Sequence, residues 1–128
     1  MKELTKAEEQ IMHILWEMGR GFVKDVLEQL PEPKPAYNTV STIIRILEKK
    51  GFVSYKAFGK THEYYPAISK EVYTQAFLNR FVKNYFHDSY SDMVSFFTKD
   101  RQLSLDELEE MLDMIRLQIQ QKKDNSDG

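Results

Sequence analysis

Apolar positions recur along this chain with the spacing of helices, except over one short stretch near the middle. Ala7, Ile11, Ile14, Leu15 and Met18 step by three and four, which puts them on one side of a first helix. Thr5 with Glu8 forms a capping box, so that helix starts near Lys6, and Gly19 ends it as a left-handed residue. Val23, Val26, Leu27 and Leu30 give the core face of a second, shorter helix. Pro31, Pro33 and Pro35 forbid its continuation and make a stiff loop. In the stretch PAYNTVSTIIRILEKKG, Val40, Ile43, Ile44 and Leu47 are the buried stripe of a third helix. Asn38, Ser41, Thr42, Arg45 and Lys49 fall on its other side.

The period then changes to two. Val53, Tyr55 and Ala57 alternate with Ser54, Lys56 and Phe58, the pattern of a strand. Gly59-Lys60 reads as a tight hairpin turn with Gly at the first central position. Thr61 to Tyr65 suits the returning strand, and Pro66 ends the pairing by withholding a donor. Three helices followed by a hairpin is the order of a winged helix-turn-helix, with the third helix in the recognition position.

Beyond the hairpin the helical period returns three times. Ser69 caps a fourth helix with the stripe Val72, Tyr73, Ala76, Phe77, Phe81 and Tyr85. Ser89 and Asp92 open a fifth, around Tyr90, Met93, Val94 and Phe97. Ser104 and Glu107 make the clearest capping box of the chain, with Leu103 and Leu108 as a hydrophobic staple. The sixth helix carries Leu105, Leu108, Leu112, Ile115 and Ile119, widened by Met111, Met114 and Leu117. The fold class is therefore mainly α with a β-hairpin wing: a winged-helix domain over 1–68 and a three-helix region over 69–122. Residues 123–128 read as a polar, disordered tail. The three C-terminal helices could cover one another as a bundle. Phe77, Phe81, Tyr85 and Phe97 offer more apolar surface than that, and a twofold partner is the alternative expectation.

Charge sharpens the picture. The net charge is −2, yet residues 1–66 hold ten Lys/Arg against nine Asp/Glu, and residues 67–128 hold eight against eleven. Between 36 and 62, Arg45, Lys49, Lys50, Lys56 and Lys60 face one acid, Glu48. Such a local excess can hold phosphates while the rest of the chain stays acidic. Asn, Ser, Thr and Arg side chains can read base edges in a major groove, and a lysine-bearing hairpin tip suits a backbone contact. The expected DNA-binding set on these grounds is Tyr37, Asn38, Ser41, Thr42, Arg45, Lys49, Lys56 and Lys60.

Other chemistry is sparse. The chain has no cysteine, and its three histidines, His13, His62 and His87, are too far apart for a short metal-ligand spacing. No Ser-His-Asp grouping, HExxH or glycine-rich phosphate loop occurs, so an enzyme is not expected, and neither is a cofactor or metal. No apolar run reaches the ~18 residues of a membrane span. The expected compartment is the cytoplasm.

The segments LTKAEEQIMHILWEMG, NTVSTIIRILEKKG, KAFGKTHEYYP and LSLDELEEML resemble, in order along the chain, the bacterial penicillinase and methicillin-resistance repressors of BlaI/MecI type. The resemblance implies a homodimeric repressor of antibiotic-resistance genes that binds an inverted-repeat operator, with Asn38, Thr39, Ser41, Thr42 and Arg45 of the third helix in the major groove and the wing, with Lys56 and Lys60, on the backbone. On the apolar stripes of the three C-terminal helices, the residues expected to hold that dimer are Phe77, Phe81, Tyr85, Met93, Phe97, Leu105, Leu108, Leu112, Ile115 and Ile119. The resemblance further implies release when a membrane-bound sensor metalloprotease, responding to β-lactam, causes cleavage near Ser95, Phe96 and Phe97. Those two phenylalanines would equally suit a core. The family commonly has Asn-Phe at the cleaved bond and Arg where this chain has Ile46; here the arginine stands one place earlier, at Arg45. Copper-sensing relatives bind metal through C-terminal cysteines, which this chain lacks. Two other readings are a ligand-gated, MarR-like regulator with a pocket at Tyr73, Phe77, Phe81 and Tyr85, and a winged helix that binds protein instead of nucleic acid.

Overall fold

A computed structural model of the chain describes residues 1–100 and 102–126. The elements run α1 (Lys6–Met18), α2 (Val23–Gln29), α3 (Tyr37–Lys49), β1 (Val53–Phe58), β2 (Thr61–Pro66), α4 (Lys70–Phe86), α5 (Tyr90–Thr98) and α6 (Leu105–Ser126). The chain divides into two compact units, Met1–Leu78 and Asn79–Gly128, so the division falls inside α4, later than residue 68.

In the first unit, α1 begins where its capping box dictates. The Glu8 amide donates to Thr5 Oγ1 at 3.2 Å, and the Thr5 amide donates to Glu8 Oε1 at 3.1 Å. Gly19, at φ +82°, closes it through an amide bond to the Leu15 carbonyl at 2.8 Å. The stripe is shifted by one position at the N-terminal end. Ile11, Met12 and Leu15 are buried, Ala7 is exposed, and Glu8 is buried in its place. The cause lies far along the chain: Lys50 Nζ reaches Glu8 Oε1 at 2.6 Å and Oε2 at 2.8 Å. Burial alone would push the Glu8 carboxyl up; the bonds from Lys50 and Thr5 and the lysine's charge outweigh it and hold the carboxyl below its ordinary value.

Val23 and Val26 from α2, Leu30 at its C-terminal cap, and Val40, Ile44 and Leu47 from α3 meet that face, closed over by Phe52, Val53 and Tyr64. The proline loop between α2 and α3 is pinned by Lys34. Its Nζ donates to the carbonyls of Leu27, Glu28 and Leu30 at 3.3, 2.8 and 2.8 Å, which neutralises the negative end of α2. The wing is a two-stranded antiparallel sheet with Phe58 opposite Thr61, leaving Gly59-Lys60 as a two-residue turn. Gly59 at φ +63° holds the first central position, as a type II′ turn requires. Gly21, between α1 and α2, adds a short bridge to β2: its amide donates to the Tyr64 carbonyl at 2.9 Å and its carbonyl accepts at 2.8 Å. The first turns of α4 belong to this unit. Tyr73 is buried against Trp16 and Phe52, its hydroxyl donates to Glu9 Oε2 at 2.8 Å, and Trp16 Nε1 donates to the Ile68 carbonyl at 2.9 Å.

The second unit is differently built. α5 and α6 start at Ser89 and Ser104, whose hydroxyls accept from the Asp92 amide at 3.0 Å and the Glu107 amide at 3.1 Å. Neither helix has a buried residue. Val82 is the buried side chain of this unit among the described residues. α6 continues helical through Ser126, so 123–126 are not the irregular tail expected; Asp127 and Gly128 lie outside the described residues. Gln120, Gln121, Lys122 and Lys123 are good helix formers, and no Gly or Pro interrupts them.

Candidate nucleic-acid interface

α3 is held by its inner face and presents its outer one. Val40, Ile44 and Leu47 are fully buried, while Asn38, Thr39, Thr42, Arg45 and Lys49 are exposed. Tyr37, at the first turn, is 52% exposed. Ser41 departs from expectation: it is buried at the margin of the core, and its hydroxyl accepts from Arg45 Nη2 at 3.2 Å. Ser41 therefore steadies the arginine and leaves the outward face to its neighbours.

A groove of about 700 Å³ runs between α3, the start of α2 and the wing. Its cations are Lys24, Arg45, Lys49 and Lys60, against one acid, Glu48. Tyr37 and Ser41 line the helix side; Tyr55, His62 and Tyr64 line the wing side. The Tyr55 and His62 rings stack at 4.0 Å with planes 5° apart, forming a flat wall. Burial pushes the Tyr64 phenol up, the Glu48 charge adds to that and the Arg45 charge opposes it, so the phenol stays neutral and able to donate. Lys56 and Lys60 are exposed on the wing, and Lys56 Nζ lies 5.3 Å from the centre of the Phe58 ring.

Two residues change the charge reading. Lys50, counted with the phosphate-facing cations, is committed to buried Glu8 and the Glu3 carbonyl instead. Lys24 enters in its place. Its signal in the sequence is a cation in the first turn of α2, a position the helix dipole disfavours unless something else uses the charge.

The residues expected to pair two chains lie outside this interface. Phe77, Phe81, Tyr85, Leu105, Leu112, Ile115 and Ile119 are exposed in the single chain, and Met93, Phe97 and Leu108 are half-buried. No residue of α6 is buried, and most of its apolar stripe is exposed in the single chain, with Leu108 and Met111 half-buried. Of Tyr73, Phe77, Phe81 and Tyr85, Tyr73 is buried in the core of the first unit and the other three are exposed. Ser95, Phe96 and Phe97 lie in the last turns of α5; Phe96 is 72% exposed and so not the core residue it could have been.

Three helices, a two-stranded wing and an outward polar face on the third helix beside a cationic groove define a winged-helix DNA-binding domain, here continued by a helical C-terminal half. A family model described as penicillinase repressor matches residues 4–117, and the chain belongs to that family of repressors. The chain is 25% identical over 114 residues to the methicillin resistance regulatory protein MecI of Staphylococcus aureus (strain N315), covering 88% of this chain and 93% of that one. It is 23% identical over 123 residues to the penicillinase repressor of Bacillus licheniformis, covering 95% and 96%. Among solved structures, the DNA-binding domain of the repressor BlaI is similar at 25% identity with a TM-score of 0.49, over 57% of this chain and 94% of that one. A CopR repressor structure is similar at 28% identity with a TM-score of 0.44, over 53% and 100%. No described helix is long and apolar enough to cross a membrane.

Proposed function

We propose that the chain is a transcriptional repressor that pairs with a second copy and binds an inverted-repeat DNA operator through α3 and the wing. The observation that carries this is the outer face of α3: Asn38, Thr42, Arg45 and Lys49 stand exposed on a helix whose opposite side is locked in the core. A major groove admits such a helix, and amide, hydroxyl and guanidinium groups are what it can match. Lys24, Lys49 and Lys60 around the groove, with Lys56 on the wing, supply cations for the flanking phosphates.

Pairing is supported by the uncovered stripe on α6. Leu105, Leu112, Ile115 and Ile119 are exposed in a single chain, and a second copy of the same surface buries them with twofold symmetry. Two α3 helices about one DNA turn apart, roughly 34 Å, then fit a palindrome. Relief follows from proteolysis near Ser95, Phe96 and Phe97 by a membrane-bound sensor metalloprotease of the β-lactam-responsive type. A protease needs extended backbone, and α5 has nine residues and none buried, so it can open locally at small cost. Cutting there removes α6 and leaves the DNA-reading unit intact.

Mobility shifts of full-length protein over a salt series test the DNA reading. Affinity for duplex should fall with a log–log slope of about −0.9 per phosphate contacted. A flat response would instead favour a winged helix that binds protein.

A further inference from the structure

Within the polar outer face of α3 stands one side chain with no polar partner to seek. Ile46 is 40% exposed, and it follows Thr39 and Thr42 at seven and four residues, so the three form one row along the helix. Ile46 is not among the residues lining the groove, whereas Glu48, the acid of α3, is. All three side chains in the row are β-branched and carry methyl groups on stiff χ1 torsions, so little rotamer freedom is lost when they are pressed against a surface.

The chemistry of a major groove narrows what such a row can face. Guanine, cytosine and adenine present hydrogen-bonding atoms and bare C–H edges there but no methyl group, and an isoleucine set against the hydrogen-bonding atoms strips their water and returns nothing. Thymine alone presents a methyl group. We infer that Ile46, flanked by Thr42, is a specificity-determining residue that reads a thymine 5-methyl in each half-site. This rests on α3 being the DNA-reading helix. It adds a preference that hydrogen-bonding residues on the same face do not supply.

The test starts from duplexes enriched by full-length protein out of a random-sequence pool. In the most enriched duplex each thymine is replaced in turn by deoxyuridine, which removes only the 5-methyl, and affinity is measured by competition. Wild type should lose about fourfold at one thymine per half-site, the effect of burying one methyl-sized group. Ile46→Ala should bind the parent duplex more weakly and show no loss at that thymine. Ile46→Arg should shift the enriched base at that step toward guanine, whose O6 and N7 accept a bidentate arginine. Equal uracil penalties in wild type and Ile46→Ala, no penalty at any thymine, or unchanged thymine preference in Ile46→Arg would each overturn the inference. Failure of any sequence to be enriched is a separate outcome, and it would overturn the operator reading and this inference with it.

Discussion

Adjacent lysines at the end of α3 have different work. Lys49 is exposed beside the groove, whereas Lys50 turns inward to Glu8, whose carboxylate is almost wholly buried. Removing one partner of a buried pair strands the other, at a cost of roughly 3 kcal/mol. Lys50→Met should therefore lower the urea midpoint sharply, while Lys49→Met leaves it unchanged and reduces the salt slope of DNA binding by about one phosphate. Acid behaviour follows from the direction of the Glu8 shift. A carboxyl held below its ordinary value of 4.5 stabilises the fold fully above that value, and the contribution is lost as pH falls through the folded value. Unfolding measured from pH 6 down to pH 3 should show a shallower acid limb in Glu8→Gln than in wild type. On the DNA face, Arg45→Ala should cost roughly 1–3 kcal/mol on specific duplex and relax one base preference, while Lys60→Ala weakens all sequences alike. Identical binding curves for both variants and wild type would show that the wrong face had been assigned.

At the scale of elements, the wing depends on its turn. Gly59 sits at φ +63° with open space around it, so an added Cβ meets no neighbour and strain comes from the backbone alone. Gly59→Ala should cost about 1–2 kcal/mol and lower DNA affinity with α3 unaltered, as read by thermal unfolding alongside mobility shifts. Elements of this kind were visible in the sequence because their signals are local. The caps at Thr5, Ser69, Ser89 and Ser104, the Gly59-Lys60 turn and the inner stripe of α3 all lie within a few residues of what they organise. What stayed hidden joins distant positions. The Glu8–Lys50 pair spans 42 residues, the Trp16–Ile68 bond 52 and the Tyr73–Glu9 bond 64, and no periodicity reveals such partners. Ala7 lies outside and Ser41 inside, against the helical stripe, for the same reason: burial at the edge of a stripe is decided by the neighbour that arrives from elsewhere. α6 outran its expected end because its apolar stripe stops before its helix-forming residues do.

At the scale of the whole molecule, the two units differ in how they are finished. The first closes over Phe52, Ile11 and Leu47, each at most 2% exposed; the second leaves Leu105, Met114 and Leu117 more than half exposed. A soluble chain seldom leaves so long an apolar stripe in water, and a second copy is the simplest cover. Leu112→Glu with Ile115→Glu should convert the protein to a monomer in sedimentation without moving the unfolding transition of the first unit. A chain truncated after Phe96 should bind operator at least ~10²-fold more weakly than full length, because two tethered half-sites become one. The central claim, that paired chains present two α3 faces to one duplex, is tested most directly by titrating full-length protein against an enriched inverted repeat and against the same duplex with one half scrambled. Two chains per repeat, and a loss of ~10² or more on scrambling, are the predicted result. One chain per duplex with equal affinity for both would contradict it.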